Sequence, residues 1–162
     1  MFHQEIGENR ENKENKERAE EELLRDVLKN PRVRQMGQYV QHGKVSTLEH
    51  CENVARLSCR INRAFHLHGD ERALVRGGML HDFYLYDWHK WDGGTHALHG
   101  FQHPERAAKN AIRYFQISEK ERQIIRCHMW PLTITKLPKC REAWIVCLAD
   151  KCCAVAETVR RK

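Results

Sequence analysis

Apolar residues along the chain recur three and four positions apart, the spacing of one helical face, and no segment alternates long enough to read as a convincing strand. In "STLEHCENVARLSCRINRAF", Ser46 and Glu49 make the capping-box pair of a helix start, and His50, Val54, Leu57 and Ile61 then share one face. "DERALVRGGMLHD" begins at Asp70, a residue suited to cap a helix, and sets Leu74, Gly77 or Gly78, and His81 on a common face. Gly77 and Gly78 would let another helix come close, at about 1 kcal/mol each relative to alanine inside a helix. Pro104 is expected in the first turn of a further helix, "PERAAKNAIRYF". A second capping box, Ser118 with Glu121, opens "SEKERQIIRCHM", in which Ile124 and His128 are four apart. "REAWIVCLADKCCAVAETV" closes the pattern with Ala143, Val146, Asp150 and Ala154 on one face. The best strand candidate, "LTITKLP", is short and bounded by proline. The expected architecture is all-α, a single-domain bundle of about five or six helices.

Two stretches depart from that pattern. Residues 1–22 alternate Glu, Asn, Lys and Arg with few apolar anchors, so a charged, solvated N-terminal lead-in is expected there, with the domain proper over residues 23–162. The lead-in passes into an amphipathic helix at Leu23, Leu24, Val27 and Leu28, which Asn30-Pro31 ends. From Phe83 to His103 the chain reads "FYLYDWHKWDGGTHALHGFQH", a long loop whose aromatic content argues for a functional, ordered segment.

Composition narrows the class. The chain has 162 residues, 31 % of them charged, and a mean hydropathy of −0.75. No apolar run approaches the roughly 18 residues a membrane span needs. The charged opening lacks the apolar core and cleavage site of a secretory signal, so no membrane association and a cytoplasmic location are expected. The seven cysteines form no CxxC pair and fall mostly in helical patterns, where they read as reduced core residues; adjacent Cys152 and Cys153 would point in different directions. The formal charge of +6 suits an anionic small molecule, but acids interrupt the bases and no clear nucleic-acid surface emerges. Oligomeric state is not legible.

A lone histidine on an apolar face is usually just packed there. Here His50, His81 with Asp82, His128 and Asp150 come from four helices or their ends and face inward, with His103 just before Pro104. A buried aspartate needs a cation or several donors, and these faces carry no matching lysine or arginine. A metal ion meets that need.

The ordered set His50, His81-Asp82, His103, His128 and Asp150, with roughly 20 to 30 residues between successive members, resembles the HD superfamily of metal-dependent phosphohydrolases over about residues 42–157. The resemblance implies that His50, His81, Asp82 and Asp150 hold one divalent ion and that Asp82, His103 and His128 hold a second, with Asp82 bridging. It implies a binuclear hydrolase that cleaves a phosphate ester or anhydride of a nucleotide or similar small metabolite with a metal-bridging hydroxide. A histidine-rich shell favours iron, manganese, cobalt, nickel or zinc, with magnesium possible. The Gly-Tyr-Pro element of some relatives, the cyclic-di-GMP phosphodiesterases, is absent, and the chain reads as a bare catalytic core.

Around that set, Asp82, His99, Lys90 and Arg106 are the catalytic candidates, His99 by standing four residues before His103. Lys109 and Lys151 join Lys90 and Arg106 as groups that could neutralise phosphate oxygens. Trp88, Trp91 and Trp130, with Tyr84 and Tyr86, could stack on a base or simply pack the loop down. His66 and His68 read as helix-end or surface residues. Two other functions share the pattern: a mixed-valence di-iron oxygenase of the same fold, and a non-catalytic metal-binding regulatory module.

Overall fold

In the computed structural model the described residues are 2–90 and 98–159, with side chains described from residue 11 onward. The chain is all-α. It runs α1 (Phe2–Leu28), α2 (Pro31–Gln35), a 3-10 turn (Met36–Gln38), β1 (Val40–His42), β2 (Val45–Ser46), α3 (Thr47–Ala64), α4 (Glu71–Leu80), α5 (His99–Tyr114), α6 (Glu119–Cys127) and α7 (Arg141–Val159). That makes seven α-helices among the described residues against an expected five or six; the five-residue α2, capped by Asn30 and opened by Pro31, is the surplus. None of the helices is long and apolar enough to cross a membrane.

The capping residues act where their chemistry predicts. Ser46 accepts from Glu49 N at 3.2 Å, Asp70 accepts from Ala73 N at 3.1 Å, and Ser118 and Glu121 complete a reciprocal box. Glu121 also receives Arg76 Nε at 2.6 Å in a buried pair, which fastens α6 to α4. The core joins Leu24 and Val27 of α1, Val54 and Cys59 of α3, Leu74 and Met79 of α4, Ala107 and Ala111 of α5, Ile124 of α6 and Val146 of α7. Along residues 11–19 α1 is exposed, touching α3 through Arg63, which donates to Lys16 O at 3.2 Å, and its buried contacts with the bundle begin at Glu20 and Leu24.

Close helix approach rests on the glycine pair. A Cβ on Gly78 would lie 2.8 Å from the Ala55 Cα of α3, whereas one on Gly77 would meet only side-chain atoms of Ile124. Backbone cannot yield as a side chain can. Gly78→Ala is therefore expected to lower stability by about 1–3 kcal/mol in urea unfolding, and Gly77→Ala by less.

Two expectations need correcting. Helix α5 begins at His99, five residues before Pro104, which therefore lies inside the helix and not in its first turn. Pro104 forfeits the bond its N–H would make to Gly100 O, but the earlier start lets His103 Nδ1 reach the carbonyl of His99 at 2.8 Å. The second concerns residues 40–46, which form an antiparallel two-stranded hairpin turning at Gly43 (φ 61°). The "LTITKLP" segment is turn and bend. Trp91 and the Gly93-Gly94 pair lie outside the described residues.

Candidate metal centre

Five helices converge on one buried point. His50 comes from α3, His81 and Asp82 from the end of α4, His103 from α5, His128 from the end of α6 and Asp150 from α7, and all six are buried. Three of the imidazoles are aimed by their own helices: Nδ1–H of His81 donates to Gly78 O at 2.7 Å, that of His103 to His99 O at 2.8 Å and that of His128 to Ile125 O at 2.8 Å. A carbonyl can only accept, so each Nδ1 carries the proton and each Nε2 is left to present a lone pair to the centre. His50 is held differently, with Nδ1 2.8 Å from Glu157 Oε2 and Nε2 3.1 Å from Asp150 Oδ1.

The inward atoms are close and poorly matched to one another. Nε2 of His103 and Nε2 of His128 are 2.8 Å apart, and Asp82 Oδ1 lies 3.2 and 3.5 Å from them. On the other side, His81 Nε2 lies 3.4 Å from Asp82 Oδ2 and 3.7 Å from Asp150 Oδ1. His81 Nε2 and Asp82 Oδ1 are buried with no hydrogen-bond partner. Facing lone pairs and an orphaned carboxylate oxygen repel unless a cation lies between them. The separations suit it, since two nitrogens about 2.1 Å from one ion at a right angle stand about 3 Å apart. The residues present therefore fit a divalent metal, and two triads, His50/His81/Asp150 and His81/Asp82/His128, offer ligand atoms within 4.8 Å of one another.

Electrostatics tell the same story. Burial would raise the Asp82 carboxyl, but charge on His81 holds it well below the usual range. Burial likewise opposes ionised Asp150, yet the bond from His50 and charge on His81 hold it at about 2. Burial would keep His50 neutral; Asp150 and Glu157 overcome it and raise the imidazole to about 9. His128, buried and beside His81, is pushed down to about 3 and stays neutral. Protons on His50 and His81 thus compensate the carboxylates where no metal does. Metal and proton compete for the same lone pairs, so metal uptake releases protons and affinity falls as pH is lowered.

Several positioning residues escaped sequence reasoning. Gln41, on β1, donates Nε2–H to Asp82 Oδ2 at 2.6 Å. Its orientation is set from behind, where the Tyr84 hydroxyl and Thr47 Oγ1 both donate to its Oε1, at 2.5 and 3.1 Å. No helical period reveals a glutamine in a short hairpin. Glu157 was also missed, although its place seven residues beyond Asp150 on the same face of α7 is a signal that could have found it; it accepts from Asn53 Nδ2 at 3.1 Å. Glu157→Gln keeps an acceptor behind His50 and removes the charge. It is expected to weaken metal binding about ten- to a hundredfold, read by competition with a chromogenic chelator, with the helical spectrum unchanged.

A cleft of about 600 Å³ opens on the centre, and Gln41, His42, His99 and Lys151 line it with Asp82, His103, His128 and Asp150. Lys151 Nζ donates to His128 O at 2.8 Å and lies 3.7 Å from Asp150 Oδ2. His99 lies flat between Trp88 and His103, with ring centroids 4.9 and 4.5 Å away, and its Nδ1 is 2.7 Å from the Tyr86 hydroxyl, so it buttresses the His103 ring. Lys90 does not line the cleft: 81 % exposed, it pairs with Asp87. Arg106 lies over the Tyr86 ring, and exposed Lys109 is also outside the cleft. Trp88 reaches the cleft, but its faces are covered by His99 and His89; Trp130 packs edge-on against Trp144 outside it. His66 and His68 are exposed beyond α3. All seven cysteines are free, and Lys151 Nζ lies 3.4 Å from Cys147 Sγ.

A family model described as HD domain matches residues 47–155, a segment that contains all six buried histidines and aspartates of the centre and includes neither Gln41 nor Glu157. No curated protein and no solved structure gives a significant match to the chain.

Proposed function

Because the chain belongs to the HD domain family, we propose that it is a metal-dependent phosphohydrolase acting on a small phosphorylated metabolite, with nucleotides as the first class to test. The observation that carries this reading is the set of inward Nε2 atoms around Asp82, two of them 2.8 Å apart with their Nδ1 protons committed to backbone carbonyls. In this proposal His50, His81, Asp82 and Asp150 hold one divalent ion, and Asp82, His103 and His128 hold a second. When bound, such a pair supplies Lewis acidity and lowers the pKa of a coordinated water toward neutrality.

The chain's own residues do the rest. Gln41 holds Asp82 so that Oδ2 faces His81 while Oδ1 faces His103 and His128. Glu157 keeps the proton of His50 on Nδ1, which leaves Nε2 to the centre. Lys151 places an ammonium in the cleft lining, where it can donate to phosphate oxygens. Phosphate release from a nucleotide panel by the Mn²⁺-loaded chain, abolished by chelator and restored by metal, tests the reading. The same ligands would serve an O₂-using di-iron enzyme; oxygen uptake by iron-loaded protein without phosphate release would replace the hydrolase reading.

A further inference from the structure

We infer that the substrate is a phosphate monoester with a single phosphate and an apolar organic part, and that Lys151 is the side chain that binds its phosphate. This rests on the phosphohydrolase reading and adds the substrate class to it.

The cleft is divided by chemistry. Asp82, His103, His128 and Asp150 line it beside Lys151, the one lysine or arginine among the described residues that do so. Lys90 is turned to Asp87 and Arg106 is over Tyr86, and the stretch 91–97, "WDGGTHA", contains neither lysine nor arginine. The apolar part of the lining is Gly100, Met129, Pro131, Leu132 and Ala154. Leu132 is 48 % exposed and packs toward Gly100, where an added Cβ would stand 3.1 Å from its Cδ2.

A triphosphate carries its second and third phosphates beyond the reacting one, and among the described lining residues no lysine or arginine besides Lys151 would receive them. A monoester places its only dianion between the metal-binding end and Lys151, and lays its organic part against Met129, Pro131 and Leu132. A diester carries one negative charge and a second organic arm, for which a single wall makes no provision. The reaction balances as water plus R–O–PO₃²⁻ giving R–OH and HPO₄²⁻: the water oxygen bonds to phosphorus, the P–OR bond breaks and the leaving oxygen takes a proton from the water.

The test uses the full chain loaded with Mn²⁺ against p-nitrophenyl phosphate, nucleoside 5′-monophosphates, nucleoside triphosphates and bis-p-nitrophenyl phosphate. Monoesters are expected to exceed the triphosphates and the diester in kcat/KM by at least about tenfold. Lys151→Ala should raise KM for monoesters about ten- to a hundredfold with metal content unchanged, and Lys151→Arg should recover part of the loss. Leu132→Glu, a change at a half-exposed position, should lower kcat/KM for p-nitrophenyl phosphate by repulsion while leaving metal content and folding intact. Faster turnover of a triphosphate or diester, or a Lys151→Ala protein with unaltered KM, would overturn the inference and leave the phosphohydrolase reading standing. Hydrolysis of no phosphate compound at all would overturn both.

Discussion

Asp82→Asn is expected to give a folded protein that retains little metal and releases phosphate at least about 10³-fold more slowly, as much as or more than removing one strong electrostatic stabiliser costs. Asparagine keeps the shape of the side chain, and its amide oxygen can still accept from Gln41 Nε2, which lies 2.6 Å from Asp82 Oδ2. Its NH₂ would then face the Nε2 lone pairs of His103 and His128, which lie 3.2 and 3.5 Å from Asp82 Oδ1. A donor there relieves the repulsion that otherwise calls for a cation, so the variant has no reason to unfold and every reason to lose metal. Circular dichroism and elemental analysis on the same sample separate the two effects. A folded Asp82→Asn protein with full metal content and full turnover would remove Asp82 from the chemistry.

The second large effect falls on His128. His128→Ala is expected to take away one of the two ions and lower turnover by about 10²- to 10³-fold, with the other ion still held by His50, His81, Asp82 and Asp150. The asymmetry follows from geometry: His128 Nε2 lies beside His103 and Asp82 Oδ1, whereas His50 lies beside Asp150. Truncating a fully buried ring also leaves a void, so His128→Gln, closer in volume, is the companion variant. Metal titration of both should show a single site. Loss of both ions together from a folded His128→Gln protein would mean that the ligands act as one indivisible set and not as two groups joined by Asp82.

The buried histidines and aspartates that converge were legible because a helix repeats. His50, His128 and Asp150 lie on apolar faces that the three-and-four spacing exposes, and the His81-Asp82 doublet ends one such face. The caps at Ser46, Asp70 and Ser118 were equally plain, because each satisfies backbone N–H groups within three residues of itself. What stayed hidden depends on contacts distant in sequence. Gln41 is 41 residues from Asp82, and nothing local to the hairpin says that its amide will be locked by Tyr84 and Thr47. Lys90 looked closer to the doublet than Lys151 does, yet the turn after Asp82 carries it out to Asp87, while one residue past Asp150 puts Lys151 at the cleft. Pro104 misplaced the start of α5 because proline is favoured in a first turn, and here the gain in orienting His103 comes from His99, upstream of it.

The most direct test is metal stoichiometry of the full chain, purified without chelator, loaded with Mn²⁺ and freed of excess, with phosphate release assayed on the same material. The account predicts about two ions per chain and turnover that is lost and regained as they are removed and restored. A folded chain that binds no ion under any loading, or that hydrolyses phosphate esters equally well once stripped, would contradict it.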